Sequence, residues 1–254
     1  MTDNQATVLT GVIGGTGLYQ LDGLETLKKH HSVNRWGEPS SALVYAQQGE
    51  NSVVFIARHG EKHNIPPHKV NYRANLWALK EAGVRQVIAV AAVGGISEHL
   101  PPASVVIPSQ IIDYTYGRQH TFFDEDLDQV THIDFTEPYS EALRQDLLKA
   151  ARQQSISAVE DGVYAATQGP RLETAAEIQR LKQDGADIVG MTGMPEAALA
   201  REIGLDYACC ALVVNWAAGC AGTQVIDHDE MFAVIDQGMG QIHSIISAYF
   251  ELSG

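Results

Sequence analysis

The stretch QVIAVAAV, residues 86–93, has seven apolar residues in succession after Gln86. A continuous apolar run, unlike an alternating one, is typical of a strand that is covered on both faces of its sheet. Further short runs that are rich in β-forming residues occur at residues 7–13, 52–57, 104–112, 162–167, 187–191 and 207–214. These runs predict the strands of a central sheet.

Helices are predicted between these strands and after the last of them. Apolar residues recur at helical spacing over residues 70–82, 139–153, 173–182, 195–203 and 229–252. Gly83 follows the first of these patterns, where a glycine commonly ends a helix. Because strands and helices alternate without a linker, the sequence predicts an α/β fold in a single domain over residues 1–254. Its central sheet is expected to be mixed and mostly parallel, with helices flanking it.

The composition restricts the class of partner. Of the 254 residues, 45% are hydrophobic and 19% are charged, and the formal net charge is −14. Nonspecific binding to nucleic acid requires a basic surface, so this class of function is disfavoured. No apolar run approaches the roughly eighteen residues of a membrane span. An acidic chain that binds an anion must therefore build a locally positive site.

The three cysteines bear on the compartment. Cys209 and Cys210 are adjacent in an apolar run, and Cys220 follows them. An odd number of cysteines, two of them in a predicted strand, indicates buried thiols in a reducing compartment. The N-terminal residues MTDNQAT lack the basic and apolar regions of a signal peptide. We therefore expect a cytoplasmic protein.

Two glycine-rich turns are predicted to follow strands, at residues 14–17 and 93–97. The amides of the first turn, together with the hydroxyl of Thr16, could bind a phosphate group. The dinucleotide fingerprint would need a third glycine where Gln20 stands, and the lysine of a nucleoside triphosphate loop is absent. These departures disfavour a nicotinamide-dependent oxidoreductase.

Basic residues follow another predicted strand. Arg58 and His59 come directly after an apolar run, at the strand end where α/β folds bind their ligands. The guanidinium group offers a fork of donors that suits phosphate oxygens. His59 and His63 have a spacing seen in metal sites, but Gly60 and two prolines make a helix unlikely there, and a metal site is disfavoured. With Thr192 at a further strand end, these residues predict a phosphate pocket.

These arguments leave the roles of several other polar residues undecided. Glu173 lies at a predicted strand-to-helix turn, where a carboxylate either stabilises the helix start or binds a ligand. His120 and His132 lie in a polar stretch and are compatible with a surface position. Asn215 ends the run LVVN at residues 212–215, which places an amide at the end of a buried strand.

Five motifs together resemble the trimeric nucleoside phosphorylases. They are GVIGGTGLY (11–19), ARHG (57–60), VNYRANLWALKEAG (70–83), TQGPRLETAAEI (167–178) and GMTGMPEAALA (190–200). The resemblance covers almost the whole chain. Within this family, the sequence resembles the methylthioadenosine phosphorylase branch, in particular its bacterial methylthioinosine-specific members. It implies an enzyme that uses inorganic phosphate as a co-substrate and requires no metal or organic cofactor. It also implies a homotrimer in which a neighbouring subunit completes the active site.

The resemblance assigns roles to individual residues. It implies that phosphate is bound by Thr16, Arg58, His59, Thr192 and the backbone of Ala92, while Ala91 stands where the family often has a phosphate-binding Thr. It implies a nucleoside site formed by Met191 against the ribose, Leu172 in place of a stacking Phe, and His132 from the neighbouring subunit. The 5′ end of the nucleoside is assigned either to His228 or to Met231 and Phe232.

The base specificity follows from two positions where the family's adenine-specific members carry Asp. Here they are Asn215, whose amide can donate to purine N7 or to a 6-oxo group, and Ala217, which offers no acceptor for a 6-amino group. Glu173 stands where 6-oxopurine phosphorylases accept a hydrogen bond from N1–H. Together with Arg58 and His59 as catalytic groups, Asn215 leads us to expect phosphorolysis of a 6-oxopurine nucleoside, S-methyl-5′-thioinosine above others.

Several alternatives stay open at this point. Within the same class they are S-methyl-5′-thioadenosine phosphorylase and inosine or guanosine phosphorylase. A hydrolytic nucleosidase would use water in place of phosphate. A protein that binds purines without turning them over belongs to a different class.

Overall fold

In the computed structural model, residues 8–15, 25–49, 51–125, 127–222 and 228–253 are described, with backbone alone at residues 228, 230 and 253. One sheet runs through them. Its strands are β1 (Thr10–Gly14), β2 (Glu25–His30), β3 (Leu43–Gln48), β4 (Asn51–Ala57), β5 (Gln86–Gly95), β6 (Val105–Val106), β7 (Gln110–Asp113), β8 (Ala158–Val159), β9 (Val163–Ala166), β10 (Ile188–Gly190) and β11 (Asp206–Trp216).

The helices are α1 (Tyr72–Glu81), α2 (Glu141–Gln153), α3 (Ala175–Gln183), α4 (Gly193–Glu202) and α5 (His228–Ser253). Each of the five predicted helical patterns coincides with one of them. The boundaries have local causes: the Asn71 side chain accepts from the amide of Ala74 at the start of α1, and Gly83 follows its end with φ +89°. Residue 83 therefore has the left-handed conformation that glycine adopts without strain.

Strand β5 lies at the centre of the sheet. It runs parallel to β1 on one side and to β11 on the other, and its last residues pair antiparallel with β10. Of the ten strand pairs, six are parallel and four are antiparallel. The predicted α/β fold with a mixed, mostly parallel sheet is confirmed.

The two faces of the sheet pack against different helices. Neighbouring residues of a strand point to opposite faces, and Cys209 and Cys210 of β11 accordingly lie in separate buried clusters. Both thiols are free, and burial raises the pKa of Cys209 to about 12. The first cluster includes residues of α1 and α4, and the second includes residues of α2 and α5. Within the described residues, no helix is both long and apolar enough to span a bilayer.

Two sequence predictions need correction, and one hairpin has no counterpart among the predicted elements. The glycine turn predicted at residues 93–97 is wrong, because β5 continues through Gly95, where a Cβ atom would lie 2.3 Å from the carbonyl oxygen of Leu100. The single strand predicted at 104–112 is two strands, β6 and β7, separated by residues 107–109, which include Pro108. The β2–β3 hairpin was not predicted, since all six side chains of β2 are exposed and carry no apolar pattern.

Candidate active site

The predicted site residues gather around the C-terminal half of β5. Arg58 follows β4 and donates from Nη1 to the carbonyl oxygen of Val90 at 2.9 Å. Asn215 of β11 pairs with Gly94, and a Cβ atom at Gly190 would lie 3.0 Å from Val93. The ends of β4, β10 and β11 therefore meet along one stretch of β5. Within that stretch Ala92 is exposed although β5 has partners on both sides, which marks an opening over the sheet, while Ala91 is buried.

Arg58 is held by a buried carboxylate. Its side chain is 3% exposed, and its Nε and Nη2 atoms each donate to Glu196 of α4 at 2.7 Å. Glu196 also accepts from the hydroxyl of Tyr207 at 2.9 Å. An arginine has five N–H donors, and the contacts to Glu196 and Val90 use three of them. Arg58 is thus fixed in one orientation with two donors left over.

His59 is a neutral imidazole of defined tautomer. Its Nδ1 lies 2.8 Å from the carbonyl oxygen of Ile65, so Nδ1 carries the proton and Nε2 is left as an acceptor. Burial, and next the charge of Arg58, lowers the pKa of His59 to about 4. The amide of Ile65 bonds back to the carbonyl oxygen of His59 at 3.0 Å, which closes the loop of residues 59–65. The His63 ring lies 4.8 Å away between centroids.

Met191 and Thr192 join β10 to α4. Thr192 is the residue before α4, and its side chain does not cap the helix. Its amide donates to the hydroxyl of Tyr164 at 3.3 Å, and the residue is nearly buried. Met191 packs against Gly169, where a Cβ atom would lie 2.4 Å from the methionine sulfur. Both residues lie at the strand end that the sequence predicted.

Glu173 takes no part in capping α3. The capping box is formed by Glu177 and Thr174. Glu173 lies directly before Thr174 and accepts at Oε1 from the hydroxyl of Thr167 at 2.6 Å, across the turn that follows β9. Its second oxygen is available to a ligand. Leu172, beside it, is 39% exposed.

Asn215 lies just beyond a bulge in β11. The register of β11 against β5 shifts between Val213 and Asn215. Its Nδ2 donates to the carbonyl oxygen of Trp216 at 2.7 Å, which uses one of the two amide hydrogens. Ala217 is buried and its amide donates to the carbonyl oxygen of Gly95 at 2.9 Å. The small side chain of Ala217 permits this close approach to β5.

The residues assigned to the 5′ end are not brought together as a pocket wall in one chain. Met231 is partly buried against the core, whereas Phe232, the next residue, is 58% exposed. His132 is exposed, as is His120. Thr16 lies outside the described residues, and the side chain of His228 lies outside them too.

Two cavities lie beside this group of residues rather than within it. One, of about 300 Å³, is lined by residues 31–33, 38–42, 60–62 and 64, next to the loop that follows His59. The other, of about 310 Å³, is lined by residues of α3 and by Trp216 and residues 218–221. Neither cavity is lined by Arg58, Ala92 or Thr192. The candidate site is therefore defined by the contacts along β5 and not by these cavities. In the described part of the chain, no three His, Cys, Asp or Glu side chains are grouped as metal ligands.

Two buried residues of the site were not predicted. Glu196 lies in the run MPEAALA, residues 194–200, where a single acid among apolar residues indicates a buried partner. Arg118 makes six hydrogen bonds to oxygens of the strand-end turns and of Tyr72. It lies in a polar stretch, and no local pattern in the sequence distinguishes it from a surface arginine.

Comparison with known proteins gives consistent results. The Phosphorylase superfamily matches over residues 10–251. A probable S-methyl-5′-thioinosine phosphorylase of Pseudomonas syringae pv. tomato is 52% identical over 242 residues, covering 95% of this chain and 98% of that protein. The 6-oxopurine nucleoside phosphorylase of Pyrococcus furiosus is 41% identical over 246 residues, covering 95% and 91%.

Solved structures give the same family. Methylthioadenosine phosphorylase from Schistosoma mansoni in complex with adenine superposes with a TM-score of 0.91 at 33% identity, over 96% of this chain and 91% of that one. This similarity extends through the sheet and helices that carry Arg58, Thr192 and Asn215. By sequence and by fold, the chain belongs to the Phosphorylase superfamily.

Proposed function

We propose that the protein cleaves the N-glycosidic bond of S-methyl-5′-thioinosine with inorganic phosphate. The products are hypoxanthine and S-methyl-5-thioribose 1-phosphate. The relatives at about 50% identity that are named for this activity support the proposal. The choice of base is determined by Asn215, near the end of β11, and by Ala217, which directly follows β11. An amide donor with no acidic side chain at residue 217 suits a 6-oxopurine better than a 6-aminopurine.

Glu173 adds the second base contact. Its Oε1 is engaged by Thr167, and Oε2 is free to accept from the N1–H of a 6-oxopurine. Adenine has no hydrogen on N1, and its lone pair there would face the carboxylate. A site that hydrogen-bonds a substrate N–H rejects the analogue that lacks it, because its own polar group is then left unpaired. Glu173 and Asn215 together therefore favour hypoxanthine over adenine.

Phosphate binds, in this proposal, to Arg58, His59, Thr192, the backbone of Ala92 and Thr16. The two remaining N–H groups of Arg58 donate to phosphate oxygens, and Thr192 adds a hydroxyl. His59 is neutral with Nε2 as an acceptor, so it pairs with a protonated phosphate oxygen. Ala91 lacks the hydroxyl that many relatives have at that position, which leaves these donors to hold the anion.

The reaction proceeds by attack of a phosphate oxygen on C1′. The C1′–O bond forms as the C1′–N9 bond breaks, through a transition state with oxocarbenium character like that of glycoside cleavage. The electron pair of the broken bond leaves with the purine. The proton that hydrogen phosphate gives up as it becomes the sugar phosphate passes through solvent to the purine, which becomes the neutral base. Asn215 donates to the purine where this negative charge develops, and a donor placed in this way contributes about 3–4 kcal/mol. Phosphate held by Arg58 is in position for the attack.

The 5′-methylthio group is placed, in this proposal, against Met231 and Phe232, with His228 as the competing partner for a 5′-hydroxyl. We further propose a homotrimer in which His132 of a neighbouring subunit closes this end. The exposure of His132 and Phe232 supports this arrangement, because each is accessible to a second copy of the chain.

The test is purine release from S-methyl-5′-thioinosine, inosine and S-methyl-5′-thioadenosine, each with and without phosphate. Phosphate-dependent cleavage with preference for the first substrate is expected. Preference for S-methyl-5′-thioadenosine would overturn the base assignment, and equal release without phosphate would make the protein a nucleosidase. Tight binding of hypoxanthine without turnover of any nucleoside would identify a binding protein.

A further inference from the structure

One buried arginine joins the two turns that carry the phosphate and base residues. From Arg118, Nη2 donates to the carbonyl oxygens of residues 167 and 168, at 3.2 and 2.8 Å. Nη1 donates to the carbonyl oxygens of residues 191 and 194, at 2.8 and 2.6 Å. The side chain is buried. The turn after β9 and the turn after β10 are thus fixed to each other through one planar group.

Each of these turns holds a residue of the proposed site. Thr167, whose carbonyl oxygen accepts from Arg118, donates through its hydroxyl to Glu173 at 2.6 Å. Met191, whose carbonyl oxygen also accepts from Arg118, is followed directly by Thr192. A movement of Arg118 would therefore displace the base-reading carboxylate and the phosphate-binding hydroxyl at the same time.

The charge of Arg118 is not cancelled by an acidic neighbour. Among the described residues its partners are carbonyl, amide and hydroxyl oxygens, and it forms no ion pair. Arg58, by contrast, is neutralised by Glu196. Buried electrostatic interactions are stronger than those in water. Arg118 therefore holds both turns through charge-assisted hydrogen bonds to neutral oxygens.

We propose that Arg118 is a positioning residue that couples the phosphate and base halves of the active site. It touches neither substrate; it fixes the distance between Thr192 and Glu173. This inference rests on the proposed function, because it concerns how the same site is assembled.

The experiment compares Arg118→Ala and Arg118→Lys with Arg144→Ala. Arg144 serves as the control, since it is also buried and donates to the carbonyl oxygens of residues 107, 108 and 160. It joins α2 to the β6–β8 region and, unlike Arg118, it also forms an ion pair with Glu141. We expect Arg118→Ala to lower kcat/KM by roughly a hundredfold, as small misplacements of reacting groups do. The KM values for phosphate and for nucleoside should both rise, and Arg118→Lys should recover only part of the loss. Added guanidinium ion at millimolar concentration should restore activity to Arg118→Ala but not to Arg144→Ala.

A kcat/KM for Arg118→Ala within twofold of the parent would overturn the inference. So would a loss that Arg144→Ala shares equally and that guanidinium does not restore. Calorimetry of hypoxanthine binding, with and without phosphate, tests the coupling by Arg118 independently of turnover. Phosphate should strengthen hypoxanthine binding in the parent and not in Arg118→Ala. Failure of the parent to release any purine with phosphate would refute the proposed function, and the calorimetric comparison would still test Arg118.

Discussion

Arg58 and Glu196 form a bidentate ion pair that is almost completely buried. Both N–O distances are 2.7 Å, and the two side chains are 3% and 1% exposed. Glu196 is the fourth residue of α4, two residues after Met194, whose φ of −120° and ψ of 142° are not helical, and Thr192 precedes α4. The pair therefore sets the orientation of the guanidinium group relative to the turn that holds Thr192.

Replacement of Glu196 by Gln should destabilise the protein. The substitution leaves the buried Arg58 charge without its counterion, and breaking a buried ion pair in this way costs about 3–5 kcal/mol. Urea unfolding should show this loss in the free energy of unfolding. Glu61→Gln is the control: Glu61 lies 3.9 Å from Lys29 and is half-exposed, and such pairs contribute about 1 kcal/mol or less. Equal effects of the two substitutions would contradict the structural role of Glu196.

Replacement of Asn215 by Ala should lower turnover about a hundredfold, since it removes a donor aimed at charge that develops on the leaving purine. The measurement is kcat for S-methyl-5′-thioinosine at saturating phosphate. Asn215→Asp should shift the preference toward adenine nucleosides, read as the ratio of kcat/KM for the two methylthionucleosides. An Asn215→Ala enzyme with the parental kcat would remove Asn215 from the mechanism.

Replacement of Thr167 by Val should weaken recognition of the base and leave phosphate binding unchanged. Valine keeps the shape of the side chain but loses the hydroxyl that donates to Glu173 at 2.6 Å. A hydrogen bond to a charged group contributes about 1.5–3 kcal/mol, so the nucleoside KM should rise tenfold or more while the phosphate KM stays constant. Thr115→Val is the control, because within the described residues its hydroxyl bonds to the exposed Asp113 and to no other side chain. A rise in both KM values would indicate a general loosening instead.

The sequence predicted the parts of this fold that have a periodic or continuous apolar pattern. The strands around β5 and the five described helices follow such patterns. Because the patterns locate the strand ends, they also predict that Arg58, Thr192 and Asn215 lie close together. Strand β2 has no such pattern, because it lies at the edge of the sheet with both faces exposed. Its pairing with β3 depends on backbone hydrogen bonds, which any residue but proline can make.

The residues that hold the site in place were harder to predict than those that line it. Arg118 acts through carbonyl oxygens of residues 167–168 and 191–194, and a carbonyl group has no signature in the sequence. Gly94 and Gly95 lie inside β5 rather than in the predicted turn, because close packing and tight turns select the same residue. Arg118 and Gly94 are explained by contacts with segments far away in the chain, and Gly95 is explained by its contact with Leu100.

The neutral state of His59 should make stability depend on pH. Burial, and then Arg58, lowers the pKa of His59 to about 4 in the folded protein, whereas an unfolded chain has a histidine pKa of about 6.5. Between these values the unfolded state binds the proton and the folded state does not. The contribution of His59 is therefore fully present above about pH 6.5 and is lost as the pH falls toward 4, by at most about 3 kcal/mol.

Variants at residue 59 isolate this effect from the carboxylates that titrate in the same range. In His59→Asn the side-chain amide can still donate to the carbonyl oxygen of Ile65, as Nδ1 does at 2.8 Å, whereas in His59→Gln the amide reaches farther. Neither amide titrates. The free energy of unfolding of both variants, measured by urea at pH 7.5 and pH 5 (about one unit above and one and a half units below the unfolded pKa), should fall less steeply with acid than that of the parent. If the parent and both variants lose the same stability over this range, the pKa of His59 is not lowered in the folded protein. In that case His59 would donate to phosphate as an imidazolium below about pH 6.5.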